Sequence, residues 1–520
     1  MLTVALLLML SAAEPDLGGV APGTPIVAIR IVRHDVFDAD DPKTSSWPYR
    51  TANALHVLTR EGFIRSLLLV REGEPLDAAR LAESERVLRA MGFLNPVHIR
   101  ARAVEDGAEV VVETHDQFTT EVSFNVGVAG SRSKVGASLS EENFLGRGKG
   151  VSIDARRDDE RDSLTVSYDD PLLLGSRWRL SAGYRDSSDG KMDALRIEYP
   201  FFALSTPRAG GGAWRRETIR DHLWSGGEKT VSGEVTHSVA RAWIGLRMPW
   251  DSGVTDRLTL GIFSDRATYG DWRWRDGTAY ADPADRKLSG VEAAWEHQAD
   301  RWDVVHGFRA WVRQEDVPLG PNWQASLGVS APLFGGDGTR LPFAGSVTMG
   351  RLDGAWYSWV NAGVTGRFEE GAVANRVLHL DGGTARTGTS GVRIRAALDL
   401  GDRLDLDRQL TLGADVGLRG WDPDFFDGTS RAMASVEWRR LVTADLLRVL
   451  AFGVVVFADG GKTWGARIGE PTRGWRGDAG VGLLGEITRA SSILRVVRAD
   501  VAWPDHGGKP TIILSGVSLF

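Results

Sequence analysis

The stretch GLRGWDPDFFDGTSRA, residues 417–432, holds the side chains best placed for specific polar chemistry. Arg419 lies among small and turn-forming neighbours. Trp421 follows, then Asp422, Asp424 and Asp427. A guanidinium can grip one carboxylate through two parallel hydrogen bonds and so fix a loop in place, which the point charge of a lysine does not do. The competing reading is an ordinary solvated loop arginine. Other motifs are weaker. GGKT at 460–463 is half of a phosphate-binding loop, but the full motif needs glycine where Val456 stands and a helix afterwards. The 10 histidines are scattered, with no H-E-x-x-H pair, and no G-x-S-x-G elbow occurs. Asp169 and Asp170 precede Pro171 and read as turn residues. No catalytic residue, cofactor site or metal site is expected, and no enzyme.

Composition narrows the elements that must position Arg419. Apolar residues make up 42% of the 520 and charged residues 25%, which is ordinary for a folded chain. The 62 glycines and 19 tryptophans favour many strands and tight turns over many helices. A net charge of −7, with no block of Lys or Arg, argues against nucleic acid as a partner. The absence of cysteine excludes disulfides, thiolate metal sites and thiol catalysis. Residues 1–13 of MLTVALLLMLSAAEPD read as a secretory signal peptide, an apolar run with Ser11 and Ala13 at the cleavage positions.

Residues 26–116 read as a small α+β module. IVAIRIVRHDVF is strand-like, with Ile29 and Ile31 alternating against Arg30. TANALHVLTREG suggests a short helix ending at Gly62, and SLLLVREGEPLD an extended connector. DAARLAESERVLRAMG places Ala78, Leu81, Leu88 and Met91 on one helical face, with Asp77 at its start and Gly92 past its end. A hairpin turning near Asp106–Gly107 follows. The expected order is strand, two helices, strand, strand.

From Phe118 to Phe520 the pattern is a dyad. Val135, Ala137 and Leu139, then Val151, Ile153 and Ala155, then Trp178, Leu180, Ala182 and Tyr184 alternate with Gly, Ser, Arg and Asp. Soluble sandwiches also alternate, but the polar face here suits a wet lumen, and aromatic residues recur near strand ends as interfacial girdles do. At about 25 residues per strand with its loop, the segment 118–520 implies a transmembrane β-barrel of about 16 strands. QLTLGADVGLRG reads as a strand with Leu410, Leu412, Ala414, Val416 and Leu418 outward. Arg419 is then inward with Thr411, Gly413 and Asp415. In ILRVVRADVAWP and VVVFADGGKTW the same parity puts Asp500 and Asp459 inward, the latter with Val455 and Phe457. Glu437 is inward with Ser435 and Arg439.

Several motifs together resemble the outer-membrane-protein assembly family, which includes BamA, TamA and the two-partner secretion transporters. NFLGRGKG (143–150) and YDDPLLLGSRWRL (168–180) resemble its first hairpins, GLRGWDPDFF its Arg-Gly-aromatic loop, and VVVFADGGKTW its F-x-D-x-G strand through Phe457, Asp459 and Gly461. ILRVVRADVAWP resembles its penultimate strand, and residues 26–116 resemble one polypeptide-transport-associated (POTRA) domain. The resemblance implies a signal peptide, a periplasmic POTRA-like domain and a Gram-negative outer-membrane barrel. It also implies that the sixth extracellular loop folds back into the lumen as a lock, with Arg419 of the Arg419-Gly420-Trp421 motif bound to Asp459 and with Glu437 and Asp500 as secondary candidates for the same network. The implied function is an insertase or translocase. Its partners would be unfolded outer-membrane or secreted polypeptides, outer-membrane lipid and accessory envelope proteins. The alternatives are a dedicated single-partner secretion transporter and a passive pore or surface antigen.

Overall fold

The computed structural model describes residues 16–38, 40–129, 132–249, 254–299, 301–489 and 496–515. The expected signal peptide, residues 1–13, and the terminal Phe520 lie outside them.

The N-terminal module orders its elements as β1 (Ile26–His34), α1 (Trp47–Leu55), α2 (Glu61–Leu67), α3 (Ala78–Arg89), β2 (Leu94–Val104) and β3 (Gly107–Asp116). Three helices form where two were expected. The first stops at Leu55 because His56 turns extended, and a new helix begins at Glu61, so Gly62 lies inside it and does not end one. Phe63, Ile64 and Leu67 make α2 a core helix, and the expected extended connector follows it from Leu68. The α3 helix starts as its sequence predicts, with the Asp77 carboxylate accepting from the amides of Ala79 and Arg80. The sheet order is β1-β3-β2, with β1 parallel and β2 antiparallel to β3. Its helix-facing side buries Ile29, Val97, Ile99, Val110 and Val112 against Ile64, Leu81 and Leu88. Its other side is free of helices and carries Arg30, His34, His98, Arg100, Glu113 and His115.

Among the described residues, the rest of the chain forms one large antiparallel sheet of 21 strands. It curls round until the strand Thr511–Ser515 meets the strand Thr120–Ala129 over two residue pairs, Ile513 with Ala129 and Leu514 with Val128. The count exceeds the expected 16 because many turns are minimal: Ser187 to Gly190, Ser225 to Glu228, Asp353 to Trp356 and Glu369 to Ala372 each leave two residues between strands. Less chain goes into loops, and more strands fit. Alternation sets the faces. Val122, Ile244 and Ile262 are 67%, 65% and 62% exposed on the outside, and Val456, Val481, Leu483 and Val497 continue that apolar exterior. A contiguous apolar surface of this extent matches hydrocarbon and not water. No described helix is long and apolar enough to cross a membrane.

Two connections fold inward from opposite ends. On the side away from the N-terminal module, residues 403–429 join the strands Ser390–Asp402 and Ser430–Leu446. Counted along that side, this loop is the eighth and not the sixth, because of the extra strands. On the module's side, residues 300–319 join Arg286–Ala299 to Gly320–Ser330 and contain a small hairpin, Trp302–Val305 with Glu315–Pro318.

Candidate functional site

The 403–429 loop is held inside the sheet by its own apolar residues. Leu412 and Phe426 exchange backbone hydrogen bonds at 3.0 Å in both directions, and Leu412, Leu418 and Phe426 pack together beneath Val416, Trp421, Phe425 and Met433. This corrects the sequence reading of residues 410–418. They form no strand, and Leu410, Leu412, Ala414 and Leu418 face inward as buried residues, not outward. The loop mimics strand alternation because both of its faces meet protein within the lumen.

Arg419 is buried at the end of this loop with 1% of its surface exposed. Its Nε donates to Asp459 Oδ2 at 2.6 Å and its Nη2 to Asp459 Oδ1 at 2.8 Å, a bidentate pair. Nη1 reaches Glu437 at 3.2 Å and Asp500 at 3.3 Å, and Nη2 reaches Ser435 Oγ at 3.3 Å. The guanidinium lies 3.4 Å above the centre of the Phe457 ring. The structure therefore brings Arg419, Asp459, Glu437 and Asp500 together, from one loop and three separate strands. Strand parity accounts for the three acids; a loop turn, not parity, delivers the arginine. Arg498 and Arg439 complete the cluster. Arg498 donates to Asp500 at 2.5 Å and sits 2.7 Å from Glu437, and Arg439 bonds Glu437. Three guanidiniums thus face these three carboxylates.

Gly420 and Trp421 serve the same loop differently. A Cβ on Gly420 would stand 2.6 Å from the Asp478 Cβ and 2.9 Å from the Pro504 nitrogen, so this backbone approaches the wall too closely for a side chain. The Gly420 carbonyl accepts from Thr511 Oγ1 at 2.9 Å, tying the loop to the last described strand. Trp421 packs on Phe425 and Phe426 and donates to the Gly477 carbonyl at 3.4 Å. Beyond the arginine, Asp424 pairs with Arg132 at 2.8 Å, beside the first strands. Asp427 accepts three backbone amides from Arg467, Ile468 and Gly469 at 2.7–2.8 Å. Asp405 accepts bidentately from Arg367. Burial alone would raise the Asp405 pKa, but Arg367 and Arg286 hold it below the usual carboxylate value. Burial and then the neighbouring Asp424 push Asp415 up.

The second inward connection is one that sequence reasoning missed. The amides of Trp311 and Val312 donate to Glu486 Oε2 at 2.6 and 3.2 Å. Trp311 and Ala310 pack on the inward residues Ala451, Val455, Phe457, Leu484, Val496 and Ala502. The inward Val455 and Phe457 are therefore covered by protein and do not line water. Phe308 lies 5.0 Å from Tyr357 and 5.5 Å from Trp359 across the lumen. Phe457 touches both inward segments, with Arg419 on one side and the Trp311 cluster on the other. The near-side segment is also tied to the module. Arg89 of α3 grips Asp316 bidentately at 2.9 and 2.7 Å, and Arg86 lies over Trp302. The available sequence signal was Gly453, whose missing Cβ leaves room for the Trp311 ring.

No family model matches the chain. A stretch of 126 residues is 25% identical to an outer membrane protein assembly factor of Treponema pallidum (strain Nichols), covering 23% of this chain and 15% of that protein. Among solved structures, BamA of Haemophilus ducreyi lacking POTRA domains 1–3 is 14% identical, covering 94% of this chain and 84% of that one, with a TM-score of 0.35. CdiB of Escherichia coli is 12% identical over 94% and 76%, with a TM-score of 0.47. An iron transporter, FrpB of Neisseria meningitidis, is 9% identical over 80% and 86%, with a TM-score of 0.42. The chain is thus similar to large outer-membrane β-barrel proteins.

Proposed function

We propose that this protein is an outer-membrane insertase or translocase that handles β-barrel or secreted polypeptides. On this reading the apolar exterior lies in outer-membrane lipid, the large sheet is a closed barrel, and the N-terminal module is a POTRA-like domain in the periplasm. The module would capture an unfolded client by pairing along a sheet edge. The seam between Thr511–Ser515 and Thr120–Ala129 would then open, because a weakly paired edge can template a new strand. The protein would do this without covalent chemistry, and accessory envelope proteins would deliver the client.

The observation that carries the proposal is the buried Arg419–Asp459 pair. It pins a loop inside the lumen and, through Gly420 and Thr511, to a seam strand. Such a brace keeps the barrel in shape while the seam moves. The same loop and the Trp311 segment fill the lumen from both ends, which disfavours a passive pore. A dedicated single-partner transporter would share this geometry and differ only in its client.

The test is reconstitution into liposomes, with protease protection of an added unfolded outer-membrane barrel as the readout. Wild type should accelerate protection. Arg419→Ala should be impaired while remaining folded by heat-modifiability. A wild type that only conducts ions overturns the proposal.

A further inference from the structure

The helix-free face of the N-terminal sheet carries a group of side chains that the proposed function leaves unused. His34 at the end of β1 and His115 on β3 are direct register partners, and Glu113 lies two residues before His115 on the same face. The His34 Nε2 is 3.1 Å from Glu113 Oε1, and the His115 Nε2 is 3.8 Å from that same oxygen. The two imidazoles stack with their centres 4.2 Å apart and 12° between planes. All three ligand atoms lie within 4.8 Å of one another.

Two of these separations, 3.1 and 3.8 Å, approach those of a metal's ligand shell, and the stacked rings would turn so that their nitrogens converge on one ion. Bonds of 2.0–2.2 Å to nitrogen and oxygen place neighbouring donors in a tetrahedron about 3.3 Å apart. We propose that His34, Glu113 and His115 form a binding site for Zn2+ or a similar borderline divalent cation, with one position open to solvent. Two imidazoles and a carboxylate are the donor set for such an ion, not for Mg2+ or Ca2+. Arg100 donates to Glu113 Oε2 at 2.5 Å, which orients the carboxylate and leaves Oε1 turned to the histidines. His98 is the register partner of Glu113, but its ring turns to Glu85 at 4.0 Å. His34, at 41% exposed, and His115, at 31%, leave an entry path.

The position gives binding a consequence. β3 runs through Asp116 and Gln117 into the first strand of the large sheet, where the Phe118 amide donates to the Arg489 carbonyl at 2.7 Å. An ion joining β1 to His115 would stiffen the joint between module and barrel.

The experiment is calorimetric titration of Zn2+ into the full chain in detergent micelles, repeated with Co2+ to read the ligand-field absorbance. Wild type should bind one equivalent. His34→Ala, His115→Ala and the near-isosteric Glu113→Gln should each weaken binding at least tenfold while keeping heat-modifiability, and His506→Ala, on an exposed turn, should bind as wild type does. Absence of stoichiometric binding, or equal binding by wild type and the three site variants, overturns the proposal.

Discussion

The two segments that enter the lumen balance charge and shape differently. The 403–429 loop adds buried charge to the packing of its apolar residues. Arg419 meets three buried carboxylates, Asp427 collects three amides, and Asp405 is gripped by Arg367. The 300–319 segment relies more on shape, although Glu315 accepts the amides of Phe308, Arg309 and Ala310. The Trp311 ring occupies the space over Gly453, and Glu486 only steers it through two backbone amides. A buried charge cluster resists partial release, because losing one partner strands the others in low dielectric. An apolar wedge can slide out against another apolar surface at lower cost. The far loop therefore suits a fixed brace, and the near segment, tied to α3 through Arg89 and Asp316, suits a part that follows the module.

The largest effect should come from Arg419→Ala. It leaves Asp459, Glu437 and Asp500 with only Arg439 and Arg498, and removing one partner of a buried pair costs about 3–5 kcal/mol. The expected outcome is a protease-sensitive 403–429 loop. Arg419→Lys should rescue it only in part, because it loses the bidentate grip. If both variants protect the loop as wild type does, the charge-lock reading is wrong.

Trp311→Ala should come next, at about 3 kcal/mol of local destabilisation from the lost burial. Its distinctive readout is ion conductance in planar bilayers, which should rise while the far loop stays protease-resistant. Conductance unchanged from wild type would mean that the segment does not seal the near side.

Arg89→Ala should have a smaller effect. Its pair joins a buried guanidinium to Asp316, which is 20% exposed, so it is worth about 1–2 kcal/mol. The expectation is weaker coupling of module to barrel, seen as faster hydrogen exchange in residues 302–318 and unchanged exchange around Arg419. Slower or equal exchange in both places would break the comparison.

The sequence made much of this legible where period-2 alternation has a single cause. Ser435, Glu437 and Arg439 face in, and Val436 and Trp438 face out, as parity requires. The family resemblance named the lock, and parity placed its acids inward. Parity failed for residues 410–418, since a loop buried on both faces looks like a strand with one wet face. It also gave no sign of the 300–319 segment, whose hairpin strands of four residues are too short to show a period. The strand count was low because two-residue turns such as Gly226–Gly227 spend almost no chain. The His34–Glu113–His115 group was invisible for another reason: its histidines are neighbours only through the β1–β3 register.

The smallest effect should be that of pH on the far loop. The depressed pKa of Asp405 means its contribution to docking is complete above the ordinary carboxylate value of about 3.9 and is lost as pH falls through its lower folded value. Asp415 has the opposite sign. Its raised pKa means that protonation on acidification relieves its repulsion with Asp424. Protease access to the loop should therefore not rise between pH 7 and about pH 5, and should rise only below about pH 4. Release already at pH 6 would show that other groups control docking.

The most direct test of the central claim pins the seam. The chain has no cysteine, so Val128→Cys with Leu514→Cys, a cross-strand pair, introduces the only disulfide that can form. In the liposome assay the oxidised protein should fail to accelerate insertion of an unfolded barrel, and reduction should restore it. Equal activity of the oxidised and reduced forms would contradict an opening seam.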